Sequence, residues 1–93
     1  MKLLSSETKI IGAWIEQGSK VISDKATDRI HWLVENSFDE IAKLNWEIIY
    51  KDNADGRYWL LSYPQSEMHG GGPPSIECIS KEQVEIKVQE HDN

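Results

Sequence analysis

The sequence predicts an α+β fold, a small antiparallel β-sheet packed against one long α-helix within a single domain. Three observations predict it. Apolar residues at Ala26, Ile30, Leu33, Val34, Phe38, Ile41 and Ala42 recur at the intervals of one helix face. Short β-branched and aromatic runs, punctuated by Gly, Pro and Asp-Gly, lie on either side of that stripe. The chain has 93 residues, room for one hydrophobic core and no second.

Taken in order, residues 1–7 are polar and expected to fray. Ile10-Ile11-Gly12-Ala13-Trp14-Ile15, then Glu16-Gln17-Gly18-Ser19, then Lys20-Val21-Ile22-Ser23 reads as strand, turn and strand, with Gly18 in the turn. A short helix over residues 7–15 is the rival, since periodicity does not separate the two over so few residues. The long helix is expected from about residue 25 to 43, with Asp24 as its N-cap and Asp28 adding first-turn negative charge. His31 and Trp32 fall off the centre of the stripe, so at least one should be partly exposed.

Trp46-Glu47-Ile48-Ile49-Tyr50 then reads as a strand and Lys51 to Gly56 as a turn, Asp55-Gly56 being a strong hairpin signal. In the returning strand Arg57, Trp59, Leu61 and Tyr63 share one face, and Tyr58, Leu60 and Ser62 the other. Aromatic residues on both faces predict a central strand covered on both sides, or one whose second face meets a partner. Pro64 to Pro74 is a loop, and Ser75-Ile76-Glu77-Cys78-Ile79 a further strand. For residues 81–91, Ser80 with Gln83 forms a capping-box pattern and Glu, Lys and Gln dominate, both of which favour helix. Val84, Ile86 and Val88 nevertheless alternate as in a strand; helix is the preferred reading.

Composition excludes several functions. Ten Lys and Arg against 16 Asp and Glu leave a net charge of −6, which disfavours nucleic acid as a partner and suits a basic protein. No apolar run approaches the ~18 residues of a membrane span, and the first residues hold too short an apolar stretch for a secretion signal. The single cysteine, Cys78, has no partner for an internal disulfide, and no Cys/His cluster has zinc-ligand spacing. These features lead us to expect a cytoplasmic protein without metal or cofactor. Cys78 itself reads as a buried, inert small hydrophobe.

Asp55-Gly56-Arg57-Tyr58-Trp59 followed by Tyr63-Pro64-Gln65-Ser66-Glu67-Met68-His69-Gly70-Gly71-Gly72-Pro73-Pro74 resembles the signature of the immunity protein 27 family. Trp46 to Tyr50 and Arg29-Ile30-His31-Trp32-Leu33 are similar to that family too, so the resemblance runs from about residue 8 to 88. Leu60 departs from the pattern, which leads one to expect an acidic residue there. The resemblance implies the antidote half of a bacterial polymorphic-toxin system used in contact-dependent competition. Such a protein binds and silences one cognate toxin, and is not an enzyme.

Each candidate residue carries a plainer reading beside the functional one. His69 with Gly70, Gly71 and Gly72 looks like an oxyanion-hole string, but no GxSxG elbow accompanies it and the chain is too short for that fold. The glycines are better read as positions free to take positive φ, with Pro73 and Pro74 stiffening the exit, and the loop as a surface a partner could touch. Arg57 either pairs with Asp52 or Asp55 across the turn or meets an acidic patch on a partner. Trp59 and Tyr63 are either core or contact residues. Asp39, Glu40, Glu47, Asp52, Asp55, Glu67 and Glu77 are either a solvated acidic surface or an imitation of nucleic-acid phosphate that plugs a basic nuclease cleft. The favoured contacts are Asp52, Asp55 and Glu67, which border two loops, followed by Asp39 and Glu40. A nuclease is the toxin chemistry most compatible with an acidic inhibitor. A structural or adaptor module without a toxin partner is the alternative, and a small hydrolase using His69 with Glu67 or Asp55 a third.

Overall fold

The computed structural model describes residues 2–17, 20–64 and 72–92. Strands β1 (Lys9–Ile11), β2 (Trp14–Gln17) and β3 (Lys20–Ser23) lead to helix α1 (Lys25–Asn36). Strands β4 (Phe38–Lys43), β5 (Ile48–Asp52), β6 (Tyr58–Ser62) and β7 (Ser75–Ile79) follow, and helix α2 (Lys81–Asp92) comes last. Five strands form an antiparallel sheet in the order β1-β7-β6-β5-β4, and β2 and β3 form a separate two-stranded hairpin. The fold class is therefore α+β, as expected, but with two helices of 12 residues each in place of one long one.

The N-terminal half follows its local signals. Asp24 caps α1, its carboxylate accepting the Thr27 N–H at 2.8 Å. Ile30 and Leu33 put the apolar stripe into the core with no exposed surface. Between β1 and β2 the chain breaks at Gly12, whose N–H donates to the Pro74 carbonyl at 2.9 Å. The strand expected over residues 10–15 is thus two strands belonging to different sheets, and neither is the rival helix over 7–15. The turn assigned to Gly18 lies outside the described residues.

The expected helix over 25–43 is corrected at its midpoint. It ends at Asn36, where Ser37 (φ −125°, ψ −18°) leaves helical geometry after its N–H closes on the Leu33 carbonyl. Residues 38–43 are instead the edge strand β4. The helical spacing of Phe38, Ile41 and Ala42 misled because of a β-bulge between Glu40 and Ala42. The bulge inserts Ile41 as an extra residue, so Phe38 and Ala42 pack into hydrophobic clusters on opposite faces of the sheet.

Those clusters show where the core sits. On one face Ile30 and Leu33 of α1 pack over Ile10, Phe38, Tyr50, Trp59, Leu61 and Ile76. On the other, Val84 of α2 packs over Ile49, Leu60 and Ile79, with Ala42, Leu44 and Val88 at the margin. Each fully buried Leu or Ile contributes ~1.5–3 kcal/mol of transfer free energy. The α2 reading is borne out together with its start: the Ser80 N–H donates to Gln83 Oε1 at 2.9 Å, and the Gln83 N–H to Ser80 Oγ at 3.1 Å.

Residues 1–7 were expected to fray on polarity alone. From Lys2 onward, however, backbone carbonyls bind two arginines far along the chain. Arg29 Nη2 donates to the Lys2 carbonyl at 2.8 Å, and Arg57 Nη2 and Nη1 donate to the carbonyls of Leu4 and Glu7 at 3.0 and 2.6 Å.

A methyl group at Gly12 would lie 2.4 Å from Thr27 Oγ1 and 2.5 Å from the Pro74 carbonyl oxygen, the latter rigid backbone. Gly12→Ala should therefore destabilise by about 2 kcal/mol, lowering the melting temperature by roughly 8–15 °C in a thermal denaturation measured by circular dichroism.

Candidate functional site

The residues singled out in the sequence separate into three groups. The first is bound up in the fold. Trp59 is fully buried at the centre of the sheet, its ring stacked 6.3 Å from Phe38, which in turn lies 5.5 Å from Tyr50. Of the two readings open for it, core or contact, Trp59 takes the core position. Its indole N–H is buried with no hydrogen-bond acceptor among the described residues. Asp52 is 2% exposed, and its Oδ1 accepts the Ala54 N–H at 2.9 Å, an Asx turn that shapes the β5–β6 loop and likewise offers no free carboxylate.

Arg57 takes the intramolecular alternative. Its guanidinium lies 5.0 Å above the Trp59 ring, and Nε donates to Asp55 Oδ2 at 2.6 Å. The Arg57 backbone N–H donates to Asp55 Oδ1 at 3.0 Å. Partial burial pushes the Asp55 carboxyl up, but the two hydrogen bonds from Arg57 outweigh it and hold the group below its usual value. Gly56 makes this arrangement feasible: at φ +78° it supplies the left-handed turn that returns the chain to Arg57, whose carbonyl accepts the Asp52 N–H at 2.9 Å.

The second group is the loop. Glu67, His69, Gly70 and Gly71 lie outside the described residues. Gly72 has φ +73°, as the glycine reading expected, and Pro73 and Pro74 are buried at the entrance to β7.

The third group faces solvent. Asp39 and Glu40 are exposed on the edge strand β4. Glu40 lies near the Tyr50 hydroxyl, whose pKa is raised first by burial and then by that carboxylate. Tyr63, 43% exposed just beyond β6, lines the same cleft as a tryptophan that the sequence pattern placed in a strand. Trp46 instead occupies the turn between β4 and β5, closed by the Leu44 N–H donating to the Glu47 carbonyl at 2.8 Å, and is 86% exposed. Its turn position had a signal in Asn45, a turn former, directly before it. Leu44, Trp46, Tyr63, Pro64, Glu90 and His91 line an open cleft of about 600 Å³ between this turn and the C-terminal end of α2. Across its wall Lys87 Nζ lies 3.5 Å from Glu47 Oε1.

Among the described residues no group of His, Cys, Asp and Glu is placed to hold a metal ion, and no helix is long and apolar enough to cross a membrane. Cys78 is half-buried opposite Trp59 in the ladder. Residues 16–80, well over half of the chain, match the family model of Immunity protein 27. The chain belongs to that family of immunity proteins. A comparison with curated proteins finds no match, and neither does one with solved structures.

One ion pair had no sequence signal because its partners are far apart. Glu7 Oε2 and Oε1 each accept from Arg29 at 2.6 Å, and Oε1 also accepts the Leu4 N–H at 2.7 Å. Donation by Arg29, then by Leu4, lowers the Glu7 pKa from 4.5 to about 2. A depressed carboxylate stabilises above its unfolded value and loses that contribution as pH falls through its folded one. Glu7→Gln should therefore cost on the order of 1 kcal/mol at neutral pH. In urea denaturation the gap to wild type should close between about pH 4.5 and 2.

Proposed function

We propose that this protein is the antidote of a toxin–antidote pair in the bacterial cytoplasm. It binds a basic toxin domain, a nuclease, and blocks that domain's active site or the surface beside it. It turns over no substrate. Membership of the immunity protein 27 family carries this reading, and a net charge of −6 supports the basic partner. Opposite charge accelerates encounter and is screened by salt. Speed matters to an antidote, because the toxin harms its host for as long as it is unbound. Among the exposed acidic side chains are Asp39, Glu40 and Asp55, and we assign these three to steering the approach of the toxin, Asp55 while it stays paired with Arg57.

Co-expression with the basic domain encoded in the adjacent upstream frame should yield a stable complex and living cells. Deletion of this protein should leave the cells sensitive. Cells that tolerate the neighbouring domain without this protein would overturn the reading. Raising salt from 50 mM to 0.5 M should slow association about tenfold or more, as measured by stopped-flow fluorescence. The pair Asp39→Asn and Glu40→Gln should slow it a few-fold at low salt while leaving dissociation nearly unchanged.

A further inference from the structure

We infer that the cleft between the β4–β5 turn and the end of α2 is where the toxin docks, with Trp46 and Tyr63 closing on a Lys or Arg side chain of the partner. This rests on the antidote reading and adds to it the surface and the chemistry of contact. Trp46 is 86% exposed although tryptophan is a residue that proteins ordinarily cover, and Tyr63 at 43% lines the same cleft. Neither belongs to a hydrophobic cluster of the core, so packing does not explain their placement. Trp46 sits in a tight turn closed by the Leu44–Glu47 backbone hydrogen bond, which presents the ring on a short tether. A rigid, amphipathic aromatic beside a concave surface is the usual anchor of a protein interface.

Charge names the occupant. Lys87 lines the cleft, but its ammonium is already met by Glu47 at 3.5 Å. Glu90, exposed on the last turns of α2, takes part in no ion pair among the described residues. The wall therefore offers an uncommitted carboxylate beside two aromatic faces, the setting that attracts a guanidinium or ammonium group. The overall charge of −6 brings a basic partner to it.

The test measures binding of the full chain to the catalytically inactivated toxin domain from the adjacent frame, by surface plasmon resonance at 50 mM and 0.5 M salt. Trp46→Ala should keep the melting temperature within about 2 °C of wild type, since surface changes away from packing are nearly neutral. It should raise Kd about 30-fold or more, chiefly through faster dissociation. Trp46→Phe, which keeps an aromatic face, should recover most of that loss. Glu90→Lys should weaken binding about tenfold or more at low salt and much less at 0.5 M. Unchanged affinity of Trp46→Ala, with wild type binding, would overturn the docking surface and leave the antidote reading standing. Unchanged affinity of Glu90→Lys would overturn the cationic occupant. Failure of wild type to bind would overturn both readings. Sedimentation showing a dimer that Trp46→Ala dissolves would assign the cleft to a second copy and likewise overturn the proposal.

Discussion

The central strand of the sheet shows neither face to water, and the other elements are arranged to make that so. β6 lies third of five strands, with Trp59 and Leu61 under α1 on one side and Leu60 facing Val84 of α2 on the other. A sheet with both faces apolar cannot stop at the strands; it needs a covering layer on each side. One helix would have left Ile49, Leu60 and Ile79 against solvent. The capping box at Ser80 and Gln83 matters for that reason, because it starts the second cover directly after β7.

That two-sided arrangement was visible in the sequence as aromatic and aliphatic residues on both faces of residues 57–63. The start of each helix was visible in its capping residues. The end of α1 was not, because an edge strand with a bulge can space Phe38, Ile41 and Ala42 as a helix would. The site divides along the same line. The Arg57–Asp55 pair was legible because its partners are two residues apart across a turn. The Glu7–Arg29 pair, 22 residues apart, was not, since long-range juxtaposition depends on the tertiary fold. Trp46 was assigned to a strand by its β-branched neighbours, which outweighed the turn signal of Asn45, and the register of β4 on β5 puts it in the turn between them.

Under the proposed antidote function, binding on this scaffold divides between charge and shape. Several of the most distinctive residues of the sequence, among them Arg57, Asp52 and Trp59, are consumed by the fold: two shape or pin the β5–β6 loop, and the third fills the core. What they hold rigid is the surface around them. On that proposal the exposed carboxylates of β4 supply field at a distance, and the aromatic cleft acts at contact. Fast capture and slow release can then be tuned by separate sets of side chains.

The grip of Arg57 on the carbonyls of Leu4 and Glu7 has a practical corollary. The segment that matches the family model, residues 16–80, stops short of elements that cover the sheet. A fragment trimmed to those limits would lose an outer strand that hydrogen-bonds to β7 and the entire helix that shields one side of the sheet. It would also strand a guanidinium over the Trp59 ring with two of its acceptors gone. The span that matches the family and the span that closes both faces of the sheet have different borders in this molecule.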